Sequence, residues 1–178
     1  DEGYRAAELS CQLVAESINC DAQQVLPFST GVIGQSLPVE KIQAVSDALN
    51  ASLSTDSWSL AAEAIMTTDT VAKGFSRTMD IDGKSVTVSG ICKGAGMIRP
   101  NMATMLAYVA TDAELDSKDL QELLEYVVQC SFNRITVDGD TSTNDACVLA
   151  ATGQTGIKLD NKHEAWHEFK SMHRLLFV

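Results

Sequence analysis

No run of apolar residues in this chain approaches the roughly 18 needed for a membrane-spanning helix, so no membrane span is expected. No cluster of Lys and Arg stands out either. The 13 basic residues are scattered and outnumbered by 24 acidic ones, for a net charge of -11. A nucleic-acid partner needs a basic patch, and none is expected here. Cysteine is present but never as a CxxC pair. Cys11, Cys20, Cys92, Cys130 and Cys147 are odd in number and widely spaced. That excludes a disulfide framework or a four-cysteine zinc site as the natural reading. Reduced, buried thiols fit the cytoplasm, or the mitochondrial matrix in a eukaryote. The opening residues, Asp1-Glu2-Gly3-Tyr4-Arg5, lack both a Met and an apolar signal core, as expected of a processed or trimmed chain.

What is present is an ordinary globular composition, 45% hydrophobic and 21% charged over 178 residues. This length suits one domain or a large part of one. Tyr4, Ala7, Cys11, Val14, Ala15 and Ile18 recur at helical spacing, with Asn19 as a stop. A short strand is predicted over Gln24 to Phe28. Pro38 suits the first turn of a second helix bearing Ile42, Val45 and Leu49. Asp56 or Ser57 is placed to cap a third, through Leu60, Ala61 and Ile65. Asp82-Gly83 is a two-residue hairpin turn between strands at Arg77–Ile81 and Lys84–Cys92. Thr104 to Thr111 reads as a buried strand. Leu120, Leu123, Leu124, Val127 and Val128 form the stripe of a helix from Ser117 to about Ser131, with Ser117 as cap. Ile135–Val137 reads as a brief strand, and Cys147–Ala151 is too short to assign. Hairpin strands mixed with helices, without steady βαβ alternation, predict an α+β fold with helices on a largely antiparallel sheet. The apolar ending Leu175-Leu176-Phe177-Val178 suggests docking on another surface or a truncation.

Two glycine-bearing stretches stand out chemically. In Lys93-Gly94-Ala95-Gly96-Met97-Ile98-Arg99-Pro100-Asn101-Met102-Ala103-Thr104-Met105-Leu106, the glycines permit close backbone approach. A small residue, Ala103, precedes the Thr104 hydroxyl at a strand entrance. A threonine hydroxyl needs a base to become a nucleophile. If the preceding peptide bond is cut, its own freed α-amine, of ordinary pKa roughly 7.7 to 8, supplies one. Periodicity by itself favours a glycine loop entering a strand, with Thr104 an ordinary β-branched residue. In Ser29-Thr30-Gly31-Val32-Ile33-Gly34, turn amides are suited to holding an oxyanion; an ordinary turn is the plain alternative. Other motifs lead less far. Lys93-Gly94-Ala95-Gly96 lacks the phosphate-loop order. Asp138-Gly139-Asp140-Thr141-Ser142 begins like a calcium loop but has Thr143 at the required glycine and Leu149 at the required glutamate. His163-Glu164-Ala165-Trp166-His167 spells the zinc-protease HExxH, which also needs a helix and a third ligand beyond what His173 offers. No metal and no resident cofactor are expected.

Four longer blocks resemble the ornithine acetyltransferase (glutamate N-acetyltransferase) family. They are Leu26-Pro27-Phe28-Ser29-Thr30-Gly31-Val32-Ile33-Gly34, Ala64-Ile65-Met66-Thr67-Thr68-Asp69-Thr70, the Lys93 to Leu106 stretch, and Ser131 through Asp145 with its Thr136-Val137-Asp138-Gly139-Asp140-Thr141-Ser142-Thr143-Asn144-Asp145 core. They occur in the family's order between about Cys20 and Gly156, and the pattern departs from the family after about Leu159. The resemblance implies the family's self-cleaving fold, shared with an aminopeptidase, and one partial domain over 1–178. Residues 1–103 would be α-chain-like, and 104–178 the start of the β-chain-like part. It implies autocatalytic cleavage between Ala103 and Thr104, with Thr104 as nucleophile and as part of the substrate site. Thr30 and Gly31 would form the oxyanion hole, and Thr67 and Lys93 would contact substrate. The implied reaction moves an acetyl group from N2-acetylornithine to glutamate in arginine biosynthesis; some members also take acetyl-CoA as co-substrate. The implied assembly is a heterotetramer of α and β pieces. An inert fragment or assembly module, an amidase or aminopeptidase on the related fold, and a zinc peptidase are the other expectations.

Overall fold

The computed structural model describes residues 2–30, 32, 34–98, 105–140 and 144–174. They divide into two compact units, Asp1–Ser57 and Trp58–Val178. Each is described by itself.

The first unit is built on two helices. Helix α1 spans Glu2–Ile18, and Asn19, with φ of 57°, ends it as the sequence predicts. The Cys20 amide reaches back to the Ala15 carbonyl at 3.0 Å, which satisfies a carbonyl of the last turn. Helix α2 spans Val39–Ala51. Pro38 sits one position earlier than expected, at the N-cap, where its missing N–H costs nothing. The helices are tied by the Asn50 side-chain amide donating to the Ser17 carbonyl at 2.7 Å. The strand expected at Gln24–Phe28 is not formed. Asp21 accepts from the Gln23 amide, and Gln24 accepts from the Asp21 amide, so a capping box closes a 3-10 turn over Ala22–Gln24. Local side-chain bonds won over the apolar pattern of that stretch.

The second unit is a four-stranded sheet with helices. Helix α3 covers Trp58–Ala64, after a 3-10 turn over Thr55–Ser57. Strands β1 (Lys73–Ile81), β2 (Lys84–Lys93), β3 (Leu106–Thr111) and β4 (Ala146–Ala151) lie in the order β1-β2-β3-β4. The first two ladders are antiparallel and the third is parallel. The fold is thus α+β on a mixed sheet. The parallel pair needs a crossover, and α4 (Ser117–Cys130) supplies it. Asp116, rather than Ser117, is its cap, accepting from the Asp119 amide at 2.8 Å. The β1–β2 hairpin turns at Asp82-Gly83 with Ile81 opposite Lys84, as its sequence predicts. The brief strand expected at Ile135–Val137 is reduced to a bridge between Val137 and Ile98. A last helix, α5 (Trp166–Arg174), was not anticipated, because its stretch reads as polar.

Alternation along β2 divides the sheet faces. Val86 and Val88, both fully buried, pack with Leu123 and Val127 of α4 and with Phe169 of α5. Further along the same face, Cys92 and Cys147 pack with Met105, Ala107, Val128 and Phe132. Ile91 and Lys93 point to the other face, where Ala62 of α3 comes close to Gly74. Gly90 leaves room for Phe75, whose ring atoms would lie 2.6 and 2.8 Å from a side-chain carbon placed there.

Candidate active site

The end of the sheet where β2 stops and β3 starts collects the described candidate residues of the second unit. Lys93, the last residue of β2, is 5% exposed despite its charge, and it lies opposite Leu106 across the ladder. Leu106 follows Thr104 by two positions in the chain. After Lys93 the backbone turns at Gly94, whose φ of 152° lies where only glycine fits readily.

Asp69 organises this corner. Its buried carboxylate accepts from the Gly94 amide at 2.8 Å, from the Thr67 amide at 3.4 Å and from the Lys73 ammonium. Lys73 also donates to the Gly94 carbonyl at 3.1 Å. Burial alone would raise the Asp69 carboxyl. The Lys73 hydrogen bond, the Gly94 and Thr67 amides and the Lys73 charge outweigh it and hold the group below its ordinary value. One carboxylate therefore binds the backbone of Thr67 to the backbone just past Lys93. The backbone of one residue expected to touch substrate, Thr67, is thus linked to the neighbour of another, Lys93, by Asp69, which sequence reasoning passed over. Its only signal was its place inside the Thr67-Thr68-Asp69-Thr70 cluster. Thr67 itself is exposed.

The stretch around the expected scissile bond is held on both flanks. Before it, Ile98 and Val137 exchange N–H···O bonds of 3.1 and 2.6 Å, and the Met97 amide donates to Asp138 Oδ2 at 2.9 Å. After it, the Met105 amide donates to Asp145 Oδ1 at 2.7 Å, and the Met105 carbonyl accepts from the Ala146 amide at 3.0 Å. The close approach foreseen for the glycines occurs at Gly96, where an added side-chain carbon would stand 3.3 Å from Asp138 Oδ2. Ala103 and Thr104 lie outside the described residues.

Thr30 is described and exposed in the first unit, while Gly31 lies outside the described residues. The nearby thiols are poor nucleophiles. Burial pushes Cys92 up, and burial, reinforced by Cys92, pushes Cys147 up to about 12. The two stand on β2 and β4 with β3 between them. That is roughly 10 Å at ordinary strand spacing, too far for a disulfide. All five cysteines are free.

The HExxH spelling does not form a zincin helix. His163 precedes α5; its ring accepts from the Ala165 amide at 3.1 Å and lies 3.3 Å from the Asp82 carboxylate. His167 is inside α5, so the pair does not share a helix face. Among the described residues no helix is long and apolar enough to cross a membrane.

The family model described as the ArgJ family matches residues 1–177. The chain belongs to the ArgJ family. The match runs past Leu159, where the sequence reading had the resemblance end; α5 falls within it. The arginine biosynthesis bifunctional protein ArgJ of Pseudomonas syringae pv. tomato is 55% identical over 157 residues, covering 88% of this chain and 39% of that protein. Its namesake from Pseudomonas fluorescens is 54% identical over 164 residues, covering 92% and 40%. The chain thus spans about two-fifths of the length of these curated ArgJ relatives. A crystal structure of arginine biosynthesis bifunctional protein ArgJ from Bacillus halodurans shares 43% identity, with a TM-score of 0.37 over 38% of this chain and 32% of that one.

Proposed function

We propose that this chain carries the self-cleaving nucleophile segment of a glutamate N-acetyltransferase. The observation that carries this reading is the ArgJ family match over residues 1–177, with bifunctional arginine-biosynthesis relatives at 54–55% identity. The flanking bonds at Met97–Ile98 and Met105 support it, because a backbone reaction needs its segment delivered in one geometry.

In this reading the Ala103–Thr104 bond is cut and Thr104 becomes chain-terminal. Its Oγ attacks the acetyl carbonyl of N2-acetylornithine while its α-amine takes the proton. Thr30 and Gly31 donate to the developing oxyanion, and losing one such donor costs about 3 to 4 kcal/mol of barrier. Ornithine leaves, and the amine of glutamate takes the acetyl group from Thr104. Thr67 and Lys93 contact substrate, with Asp69 fixing the backbone of the first and the residue after the second. Acetyl-CoA is an alternative donor for the same acetyl-Thr104, and no resident cofactor enters these steps. The two pieces remain associated as α and β chains in a heterotetramer, working in the cytoplasm.

Intact mass tests the reading. For the full-length protein the expected result is two pieces divided between Ala103 and Thr104, and a single uncut species for Thr104→Ala. Acetylated donor should then leave its label on Thr104. A wild-type chain that stays whole under conditions where it is folded would overturn the proposal.

A further inference from the structure

Six residues, 99–104, join Ile98 to Met105; residues 136–138 hold the first end and Asp145 and Ala146 the second. We propose that Asp138 and Asp145 are positioning residues for the cleavage of Ala103–Thr104, each fixing one end of the segment through a backbone amide. The inference rests on the cleavage reading above and adds to it the groups that deliver the bond.

The chemistry sets what positioning must achieve. Thr104 Oγ attacks the Ala103 carbonyl carbon. An O–C bond forms, the C–N bond breaks, and the hydroxyl proton ends on the departing Thr104 nitrogen. One water then hydrolyses the resulting ester, leaving a carboxylate on Ala103 and a restored hydroxyl on Thr104. Neither aspartate exchanges a proton in these steps. The rate depends on how much of the time the reacting atoms stay within about 3 to 3.5 Å of one another. A segment tied at one end only explores many more arrangements than one tied at both.

The entry clamp is braced on several sides. Asp138 Oδ2 accepts from the Met97 amide at 2.9 Å, and Oδ1 accepts from the Asp140 amide at 3.3 Å. The Thr136 hydroxyl adds a bond to the Ile98 carbonyl at 3.2 Å. Met97 and Asp138 both have left-handed backbones, with φ of 55° and 62°. That conformation is uncommon for a residue such as Met97, while an aspartate before a glycine, as at Asp138-Gly139, adopts it readily in a turn. The space Gly96 leaves open is occupied by the Asp138 carboxylate. At the exit, the 2.7 Å bond from Met105 to Asp145 acts on the first amide after Thr104, and the Ala146 amide bonds the Met105 carbonyl. Ionised acceptors make such bonds shorter and stronger than neutral ones. These contacts join residues 40 and 41 apart, so spacing along the sequence gives no hint of them.

The test measures the cleavage rate of the chain by intact mass, with folding followed by circular dichroism and thermal melting. Asp138→Ala and Asp145→Ala should cut about tenfold to hundredfold more slowly than wild type while folded. Asp138→Asn and Asp145→Asn keep an acceptor oxygen in place and should return to within a few-fold of wild type. The corresponding Glu variants keep the charge but move the acceptor by one methylene, and should be slower than the Asn variants. They carry the test should an alanine variant not fold. Leu123→Ala, in the larger apolar core cluster and not among the clamp residues, is the control for lost stability alone. Alanine variants that cut at the wild-type rate, or Asn variants as slow as alanine, would overturn the positioning role while leaving the cleavage reading intact. An uncut wild-type chain would instead overturn the cleavage reading, and this inference with it.

Discussion

The two ends of the sheet in the second unit differ in the balance of apolar packing and carboxylate hydrogen bonds that holds them. At the hairpin end, Val86, Val88, Leu123, Leu159 and Phe169 are fully buried and apolar, and the turn closes in two residues. At the opposite end, a smaller apolar cluster around Met105, Ala107, Val128 and Phe132 is joined by a concentration of carboxylates: Asp69 on Thr67, Lys73 and Gly94, Asp138 on Met97, Asp145 on Met105. Apolar packing is tolerant of direction, whereas a carboxylate accepting from a backbone amide fixes a position. In the proposed reading, the chemistry would fall at the end where the carboxylates of Asp69, Asp138 and Asp145 hold backbone amides.

The largest effect that would sharpen this contrast comes from the apolar end. Leu123→Ala should cost roughly 2 to 5 kcal/mol, read as a lower denaturation midpoint. The molecules that remain folded should still be cut at the wild-type rate. A cleavage defect in the folded fraction would break the contrast.

Acid should separate the ends next. His173 is 1% exposed, donates from Nδ1 to the Phe169 carbonyl at 2.8 Å, and meets no partner at Nε2 among the described residues. Burial, opposed by that hydrogen bond, pushes its pKa down to about 4. The unfolded chain, with an ordinary value of 6.5, binds a proton that the folded chain refuses. Stability from this group is therefore whole above about pH 6.5 and declines as the pH falls towards 4, by up to about 3 kcal/mol. Asp69 has the opposite origin, a carboxyl held below 3.8, so its contribution is lost only as the pH falls below about 4. Melting curves from pH 7 to 3 should show His173→Phe removing the first decline and leaving the second. One decline common to both proteins would merge the two ends.

The smallest effect tests the turn. Gly83 has φ of 75° with nothing within 4 Å of an added side-chain carbon, so Gly83→Ala meets only backbone strain. It should cost about 1 kcal/mol, and a change in cleavage rate from it would contradict the separation.

What the sequence disclosed follows the same division. The hairpin and α4 were legible because each rests on local rules: a two-residue turn signal, and a stripe of leucines and valines at helical spacing. The shortfalls have local causes too. Gln24–Phe28 looked apolar enough for a strand, but the Asp21 cap drew it into a turn. α5 was overlooked because few of its residues are apolar, though Phe169 and Met172 dock into the core. At the candidate site, four blocks of sequence pointed to Thr30, Gly31, Thr67, Lys93, Ala103 and Thr104. Of these, the structure links the Thr67 backbone, through Asp69, to Gly94 beside Lys93. Asp69, Asp138 and Asp145 stayed hidden because they act on amides 25 to 41 positions away, through bonds that exist only once the sheet has formed.

The hydrogen-bonded ladder between β2 and β3 lies across the chain position where the cut is proposed. Scission there would divide the polypeptide into halves that own two strands each, and the middle seam of the sheet would become a boundary between separate molecules. Neither half has a finished interior without the other: Val86 and Val88 come from one, Leu123 and Phe169 from the other. If the proposed cut occurs, folding would have to come first and cutting second, and the products would inherit an interface that was a protein core before it was a contact.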